Sequence, residues 1–515
     1  MNSEISQPPF IVTSENVFPI PCDLSPSAHG DKLVTESKSR KCYERFTCPR
    51  KAVSRWPIFG LLVIFLVASA VIVVLVIHHN KKTGEPSSKG DSQLDGNILD
   101  DASFDLRDSF RKLSDPSTFL VPDSPQSRAF TWFTTCSQDP SLWQSTQDGT
   151  HRLVQRYAIA VIAFSCTYNL WLDTSFQKRL AMENECNWSI SKCNDNGYLT
   201  ELALDHLGLT GSIPDEIGLL SNLKILSASG NRLQGRLLPT SAYGKLTSLE
   251  RLSLSFNEVS SSIPSEIGLL SNSLIAFEAS HNVIAGSVPQ SLKALSKLEL
   301  LDLSSNMDLQ GDVFSFLPYL KRLRELYIGS TNFTGFNFEN ISHQGLSQNY
   351  VGLDLRGLSQ VYSIPTTIGL FTSLKRLQFG SKTDRGLAQD IMYGTIPSEI
   401  GRLTKLQLFH IEETKISGTI PTEFGILTSL SDLFIINNQI AKGIPSEFGL
   451  MKALQIVVLT GNQLSGIVPT EFGRLEDLAI LAIDDNENVI IPEEWCRDST
   501  APTFTISSGN TCNCC

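Results

Sequence analysis

Between Glu325 and Phe434, acids, arginines and aromatics recur at the variable places of a regular Leu-x-x-Leu-x-Leu pattern. The set is Glu325, Tyr327, Asp354, Arg356, Arg376, Gln378, His410, Glu412, Glu413, Asp432 and Phe434. Such a mixture is the composition of contact hot spots in binding interfaces. Earlier copies of the pattern carry Glu201, Asp205, His206, Arg251, Phe256, Glu278 and His281, and the last carries Asp484 and Asp485. None of these sets has the spacing that catalysis needs. His206, His281 and His410 stand in copies too far apart to ligate one metal ion, and Asp484-Asp485 forms a charged end rather than an acid/base pair. There is no nucleophile–base arrangement, metal spacing or phosphate-gripping loop. The residues point to recognition, with no cofactor and no enzymatic reaction.

The pattern that positions them repeats twelve times. Copies open at Leu199, Leu223, Leu249, Leu274, Leu298, Leu323, Tyr350, Leu374, Leu406, Leu430, Leu454 and Leu478. Alternating apolar and variable residues have the period of a strand with one buried face. The leucines therefore point inward and the variable residues outward, into one parallel sheet. A single copy cannot bury its apolar side, so neighbours must stack into a solenoid. At about 4.8 Å per strand, eleven steps give a curved face roughly 50 Å long, ample for a peptide or protein. Asn231, Asn257, Asn282, Asn306, Asn438, Asn462 and Asn486 follow the strand at one offset, where a buried amide can satisfy backbone groups of adjacent coils. Ile-Pro pairs at Pro214, Pro264, Pro365, Pro397, Pro421 and Pro445 keep the return side extended. Gly211, Gly235, Gly286, Gly418 and Gly466 permit tight bends.

Ile58 to Ile77 is a charge-free run long enough, as a helix, to span the roughly 30 Å hydrocarbon layer. Its position after a 57-residue stretch and its length favour an uncleaved anchor over a signal peptide. Lys38, Arg40, Lys41, Arg45, Arg50, Lys51 and Arg55 crowd its front side, whereas only Lys81, Lys82 and Lys89 follow before an acidic stretch. The positive-inside rule then predicts a single-pass type II protein with its repeats extracellular or lumenal, the plasma membrane being the expected site. Residues 1–55 hold eight Lys/Arg and six Asp/Glu, net +2, so the remainder carries −13 of the chain's −11. So acidic a surface argues against nucleic acid.

Eight cysteines follow the apolar run, at Cys136, Cys166, Cys186, Cys193, Cys496, Cys512, Cys514 and Cys515. They bracket the repeats, as disulfides in an oxidising compartment would. The pair expected is Cys186–Cys193. Cys512-Asn-Cys514-Cys515 lacks a nearby histidine, so a metal site is not expected there. Asn187, Asn332 and Asn340 head glycosylation triplets. The sequence thus divides into a disordered tail (1–55), a transmembrane helix (56–79), a flexible linker (80–108), a helical N-terminal cap (109–198), the solenoid (199–495) and a Cys-rich end (496–515). Within the cap, Ser124-Pro125 marks one helix start and a second helix is expected over about Gly149 to Cys166.

The copy Asn462-Gln-Leu-Ser-Gly-Ile-Val-Pro-Thr-Glu-Phe-Gly-Arg-Leu resembles the plant-type extracellular leucine-rich repeat, and six of the eleven spacings are the 24 residues of that range. Gln155-Arg-Tyr-Ala-Ile-Ala and Glu185-Cys-Asn-Trp188…Cys193 are similar to the N-terminal cap of such proteins. Together with the internal anchor and Cys-rich end, the whole resembles the membrane-anchored leucine-rich-repeat families of microalgae. The resemblance implies an α/β solenoid of about twelve repeats, with an N-terminal cap, that binds a peptide, glycan or protein on its concave face. The residues expected to do so are Tyr327, Asp354, Arg356, Arg376, Gln378, His410, Glu412, Asp432 and Phe434. The stretch before the anchor has no kinase signature, so signalling would pass through a membrane co-receptor. The alternative is a structural organiser of cell wall or matrix. Register loosens from Leu323 to Leu406, where Thr331, Leu358, Lys382 and Thr414 replace the asparagine and Gly380 to Gly394 reads as an inserted loop.

Overall fold

The computed structural model describes residues 111–136, 149–166, 183–358, 363–380, 392–486, 488–492 and 505–507. All lie in one compact unit, Asp95–Cys515. The tail, the apolar run, the linker, Cys496, Cys512, Cys514, Cys515 and most of the loop from Gly380 to Gly394 lie outside the described residues. Among the described residues no helix is long and apolar enough to cross a membrane.

Fourteen strands form the main sheet: β1 Ser191–Cys193, β2 Leu199–Ala203, β3 Ile225–Ser227, β4 Arg251–Ser253, β5 Ala276–Glu278, β6 Leu300–Asp302, β7 Glu325–Tyr327, β8 Gly352–Asp354, β9 Arg376–Gly380, β10 Leu408–Glu412, β11 Asp432–Ile436, β12 Ile456–Val458, β13 Ile480–Ala482 and β14 Thr505–Ser507. From β2 to β14 neighbours are parallel and in chain order, one strand per repeat; β1 pairs antiparallel on β2. Each strand buries its central apolar residue, from Leu202 and Leu226 to Val457 and Leu481. Most return legs are 3-10 turns of about five residues entered from a proline, such as Thr422–Ile426 and Ser446–Leu450, with short α-helices at Thr240–Tyr243 and Phe338–His343. A Pro-x-Glu-Phe-Gly stretch is too short for an α-helix, so the α component of the expected solenoid is small. In the last coils Phe424, Phe448 and Phe472 stack at 6.1 and 5.9 Å between ring centres, each contact adding about 0.5–1.5 kcal/mol beyond burial. The glycine after each phenylalanine lets the coils close up. A Cβ on Gly449 would lie 2.5 Å from Glu471 Cβ.

The asparagines knit one coil to the one before. Asn257 Oδ1 accepts from the Leu233 N–H at 2.9 Å, and its Nδ2 donates to the carbonyls of Ala228 (2.9 Å), Leu254 (3.1 Å) and Ser255 (3.2 Å). Asn282, Asn306, Asn462 and Asn486 repeat this pattern. Both ends of the amide are used, so a polar group sits in an apolar stack at no desolvation loss. Where threonine stands instead, the reach shortens. Thr331 Oγ1 bonds only its own coil, to Ile328 O and the Phe333 N–H. Thr414 Oγ1 meets Asn438 Oδ1 and the Ile416 N–H.

Two helices, α1 (Pro125–Cys136) and α2 (Gly149–Ser165), precede the coils. α1 begins as expected, Ser124 Oγ accepting the Ser127 N–H at 3.1 Å with Pro125 first in the helix. α2 buries Tyr157 to Phe164 and packs on the turn Asp215–Leu219 of the first coil. Gln155 Oε1 accepts the Leu199 N–H at 2.6 Å, tying α2 to β2. Glu185, fully buried, receives Arg152 through Nε and Nη2 at 3.1 Å each and Arg156 through Nε at 2.8 Å. Burial pushes its carboxyl up, but the hydrogen bonds from Arg152 and Arg156 outweigh this and hold it below its ordinary value. Cys186 and Cys193 are joined, their Cα atoms 5.2 Å apart. Cys166, counted on sequence among the bracketing cysteines, is a free buried thiol whose pKa burial pushes up to about 12.

Two outcomes follow. Asn257→Ala strands the Leu233 N–H and neighbouring carbonyls, and should destabilise the chain by about 2–4 kcal/mol in urea unfolding; a loss below about 0.5 kcal/mol would deny the amide its role. Glu185 has a lower pKa folded than unfolded. Its contribution is therefore present at neutral pH and is lost as pH falls below the ordinary value of 4.5. Acid unfolding followed by circular dichroism should show that limb in the native chain and a flatter one in Glu185→Gln.

Candidate ligand-binding face

Parallel register aligns the outward residues into rows running across the coils. One row reads Glu325, Gly352, Arg376, Leu408, Asp432, Ile456, Ile480. The next reads Tyr327, Asp354, Gln378, His410, Phe434, Val458, Ala482. A third, at the strand ends, places Gly380 beside Glu412 and Glu412 beside Ile436. The residues proposed from sequence therefore share one face on five consecutive strands, β7 to β11.

They are joined, and glycines decide how. Gly352 leaves a gap in the first row, over which Tyr327 leans; a Cβ there would lie 2.3 Å from the Tyr327 hydroxyl oxygen. Through that gap Arg376 reaches back two strands. Its Nε donates to Tyr327 Oη at 3.0 Å and its Nη2 to Glu325 Oε2 at 2.6 Å, while the Tyr327 hydroxyl donates to the same Glu325 oxygen at 2.7 Å. Arg376 also lies over the Tyr327 ring at 5.8 Å. Burial pushes the Tyr327 phenol well above its ordinary value. Burial opposes the charge on Arg376, but Tyr327 and Glu325 raise its pKa on balance. The guanidinium side chain remains 46% exposed, so the triad is ordered yet open to a visitor.

Asp354 differs from the other proposed residues. At 4% exposure it is buried, and its carboxylate accepts from Arg356 Nε (2.9 Å), Nη2 (2.8 Å) and backbone N–H (3.1 Å). It serves as the counter-ion of Arg356 rather than as surface. Across Gly380, Arg356 and Glu412 feel each other's charge. The His410 hydrogen bond, 3.1 Å from Glu412 Oε2, holds Glu412 below its ordinary value against burial, and the charges of His410 and Arg356 add to it. His410 leans on the Phe434 ring at 5.3 Å between centres. Gln378 and Asp432 are half-buried on the same face. Asp484 and Asp485 lie beyond the rows, and no group of acids, histidines and cysteines among the described residues could hold a metal ion.

Sequence reasoning overlooked the continuation of this face. Ile436, Ile456 and Val458 are half-buried and Ile480 is 41% exposed, forming an apolar strip beside Phe434. The signal is present, since each occupies a variable strand position, but an apolar residue there cannot be told from the framework by its type alone. Gly352 carries no sequence signal of its own, and Gly380 reads from sequence only as the start of an inserted loop.

Known proteins bear on this geometry. The family model described as Leucine Rich Repeat matches residues 248–270 and 453–475. Receptor-like protein 39 of Arabidopsis thaliana is 32% identical over 145 residues, 28% of this chain and 14% of that protein. Receptor-like protein 41 of the same plant is 32% identical over 139 residues, 27% of this chain and 15% of that protein. This chain thus spans about a seventh of the length of the curated relatives it matches. Among solved structures, the plant peptide hormone receptor RGFR1 in complex with RGF2 superimposes with a TM-score of 0.48 at 28% identity, covering 63% of this chain and 53% of that one. Some relatives are kinases, but the matched regions are repeats. With its Asn ladder, proline-led turns and matching repeats, the chain is a leucine-rich-repeat solenoid similar to plant receptor-like proteins with extracellular repeats.

Proposed function

We propose that this chain is a receptor-like recognition protein that captures a protein or peptide on the face running from β7 to β13. The observation that carries the reading is the adjacency of the Glu325–Tyr327–Arg376 triad to the apolar strip from Phe434 to Ile480. The triad offers an exposed guanidinium already oriented by its partners, so little side-chain freedom is lost when an acidic group docks. The strip offers apolar surface that water leaves on contact. One end of a ligand is then fixed by charge and the other by burial.

The relatives that match are receptor-like proteins, which supports this class of role. The charge distribution around Ile58–Ile77 favours a type II anchor that presents the repeats outside the cytosol, with signalling left to a membrane co-receptor. The exposed positions of Asn187, Asn332 and Asn340 suit glycan attachment in that compartment. None of the three lies on a strand of the main sheet, so glycans there would leave the binding face free.

Capture from the native surface proteome, followed by titration with the recovered partner, tests the proposal. Combined Tyr327→Ala, Arg376→Ala and Phe434→Ala should weaken binding by about a hundredfold or more; unchanged affinity would move the site elsewhere. Arg356 is left intact because its loss would strand the buried Asp354 charge. A subtler change is Gly352→Ala. Its methyl group must displace the Tyr327 hydroxyl, so affinity should fall while the melting temperature changes by only a few degrees.

A further inference from the structure

The early coils present a different chemistry on the same sheet. On β3 to β6 the second outward row reads Ser227, Ser253, Glu278, Asp302. The strand-end positions beyond it hold Ser229, Ser255, Ser280 and Ser304. These two rows contain only hydroxyls and carboxylates. Ser253, Ser255, Ser280 and Ser304 are buried, so they orient neighbours rather than meet a ligand. Ser253 Oγ donates to Glu278 Oε2 at 3.0 Å, and Ser304 Oγ and its N–H donate to Asp302 Oδ1 at 2.7 and 3.1 Å. Glu278 also pairs with Arg251. Asp302 forms no ion pair with a cation among the described residues, and burial raises its carboxyl above the ordinary value.

A flat aromatic step borders this floor. Phe256 and His281 stack with ring centres 4.2 Å apart and planes 10° from parallel, and Phe256 is 50% exposed. Both sit in the left-handed backbone region, at φ of 56° and 51°. Every coil described there turns left-handed at this place, with His206, Gly230, Ser305, Ser330, Gly357, Glu413, Asn437, Gly461 and Asp485 in the others, so Phe256 is the one large apolar side chain among them. Glycine takes this conformation freely and asparagine with little strain, whereas a bulky side chain there is an outlier. Half of the Phe256 side chain stays in water while its ring lies flat on His281, so the pair presents an open aromatic surface, which directs attention to binding.

We infer that coils three to five form a second site, for a neutral saccharide, with a sugar ring stacked on Phe256–His281 and its hydroxyls held by Glu278, Asp302 and Arg251. A pyranose has an apolar face of C–H groups that suits an aromatic ring, and a rim of hydroxyls that both donate and accept. Carboxylates take the donated bonds and the guanidinium supplies the complementary donor. Hydroxyls donating to Asp302 would add to the bonds this half-buried carboxylate takes from Ser304. The acidic floor disfavours uronic acids and phosphorylated sugars. The two rows offer no apolar anchor for a peptide.

The test uses the full chain in a detergent without a sugar headgroup, titrated calorimetrically with hexasaccharides of β-1,4-glucose, β-1,3-glucose and β-1,4-mannose. At least one should bind saturably, and Phe256→Ala should weaken it by about tenfold. Phe256→Gly should do the same while leaving the melting temperature unchanged or raised, since glycine relieves the left-handed backbone. Arg376→Ala should leave saccharide binding intact, which separates this site from the β7–β13 face. Failure of all three hexasaccharides to saturate, or indifference to both Phe256 changes, would overturn the inference. So would binding of oligolysine that is lost with Phe256→Ala, which would assign the step to a basic peptide.

Discussion

A buried amide carried by seven of the twelve coils governs this molecule. Six of these asparagines accept from a backbone N–H of the preceding coil and Asn438 accepts from the Thr414 hydroxyl; all donate to carbonyls of both coils, so these coils stack at fixed height and phase. Leucines alone would not do this, because apolar burial is non-directional and tolerates slippage. A strand shifted by one residue would turn its variable side chains into the core. On both sides of the irregular coils of β7 to β10, the ladder thus fixes the phase that those coils continue, although no ladder asparagine is itself exposed on the ligand-facing side.

Given that phase, chemistry on the face arises from what fills the rows and from what is missing. Adjacent strands are about 4.8 Å apart, so a side chain normally meets only its immediate neighbour. Gly352 removes that neighbour and allows Arg376 to engage residues two strands away. Gly380 opens the equivalent gap between Arg356 and Glu412. The irregular coils are therefore where long-range polar contacts become possible. The face also changes character along its length, from hydroxyls and carboxylates, through charged bridges, to aliphatic residues near β13.

The repeat was legible because it rests on periodicity. Leu-x-x-Leu-x-Leu, the asparagine offset and the Ile-Pro pairs each have one physical meaning, and all agree. The first turn of α1 was legible for the same reason, since Ser124 and Pro125 act locally. The site was legible only in part. Sequence placed Tyr327, Arg376 and His410 on one face, but it could not distinguish an exposed Arg376 from a buried Asp354. That difference depends on the neighbouring strand, where Arg356 curls back over the carboxylate. Phe256 and His281 were noted as outward residues, yet their mutual stacking comes from the approach of two neighbouring coils, which no single repeat encodes. Most return legs proved to be 3-10 turns because the three residues between proline and glycine leave room for little more than one turn.

Amide hydrogen exchange, resolved along the repeats of the full chain, tests the central claim most directly. The N–H groups of Leu233, Val259, Ile284 and Leu464 lie outside the main sheet's strands but donate to ladder asparagines. The account predicts that they exchange as slowly as the amides of the flanking strands, and together with them. Exchange at the rate of exposed turn amides would mean the coils are held by apolar contact alone, and the fixed rows on the binding face would lose their cause.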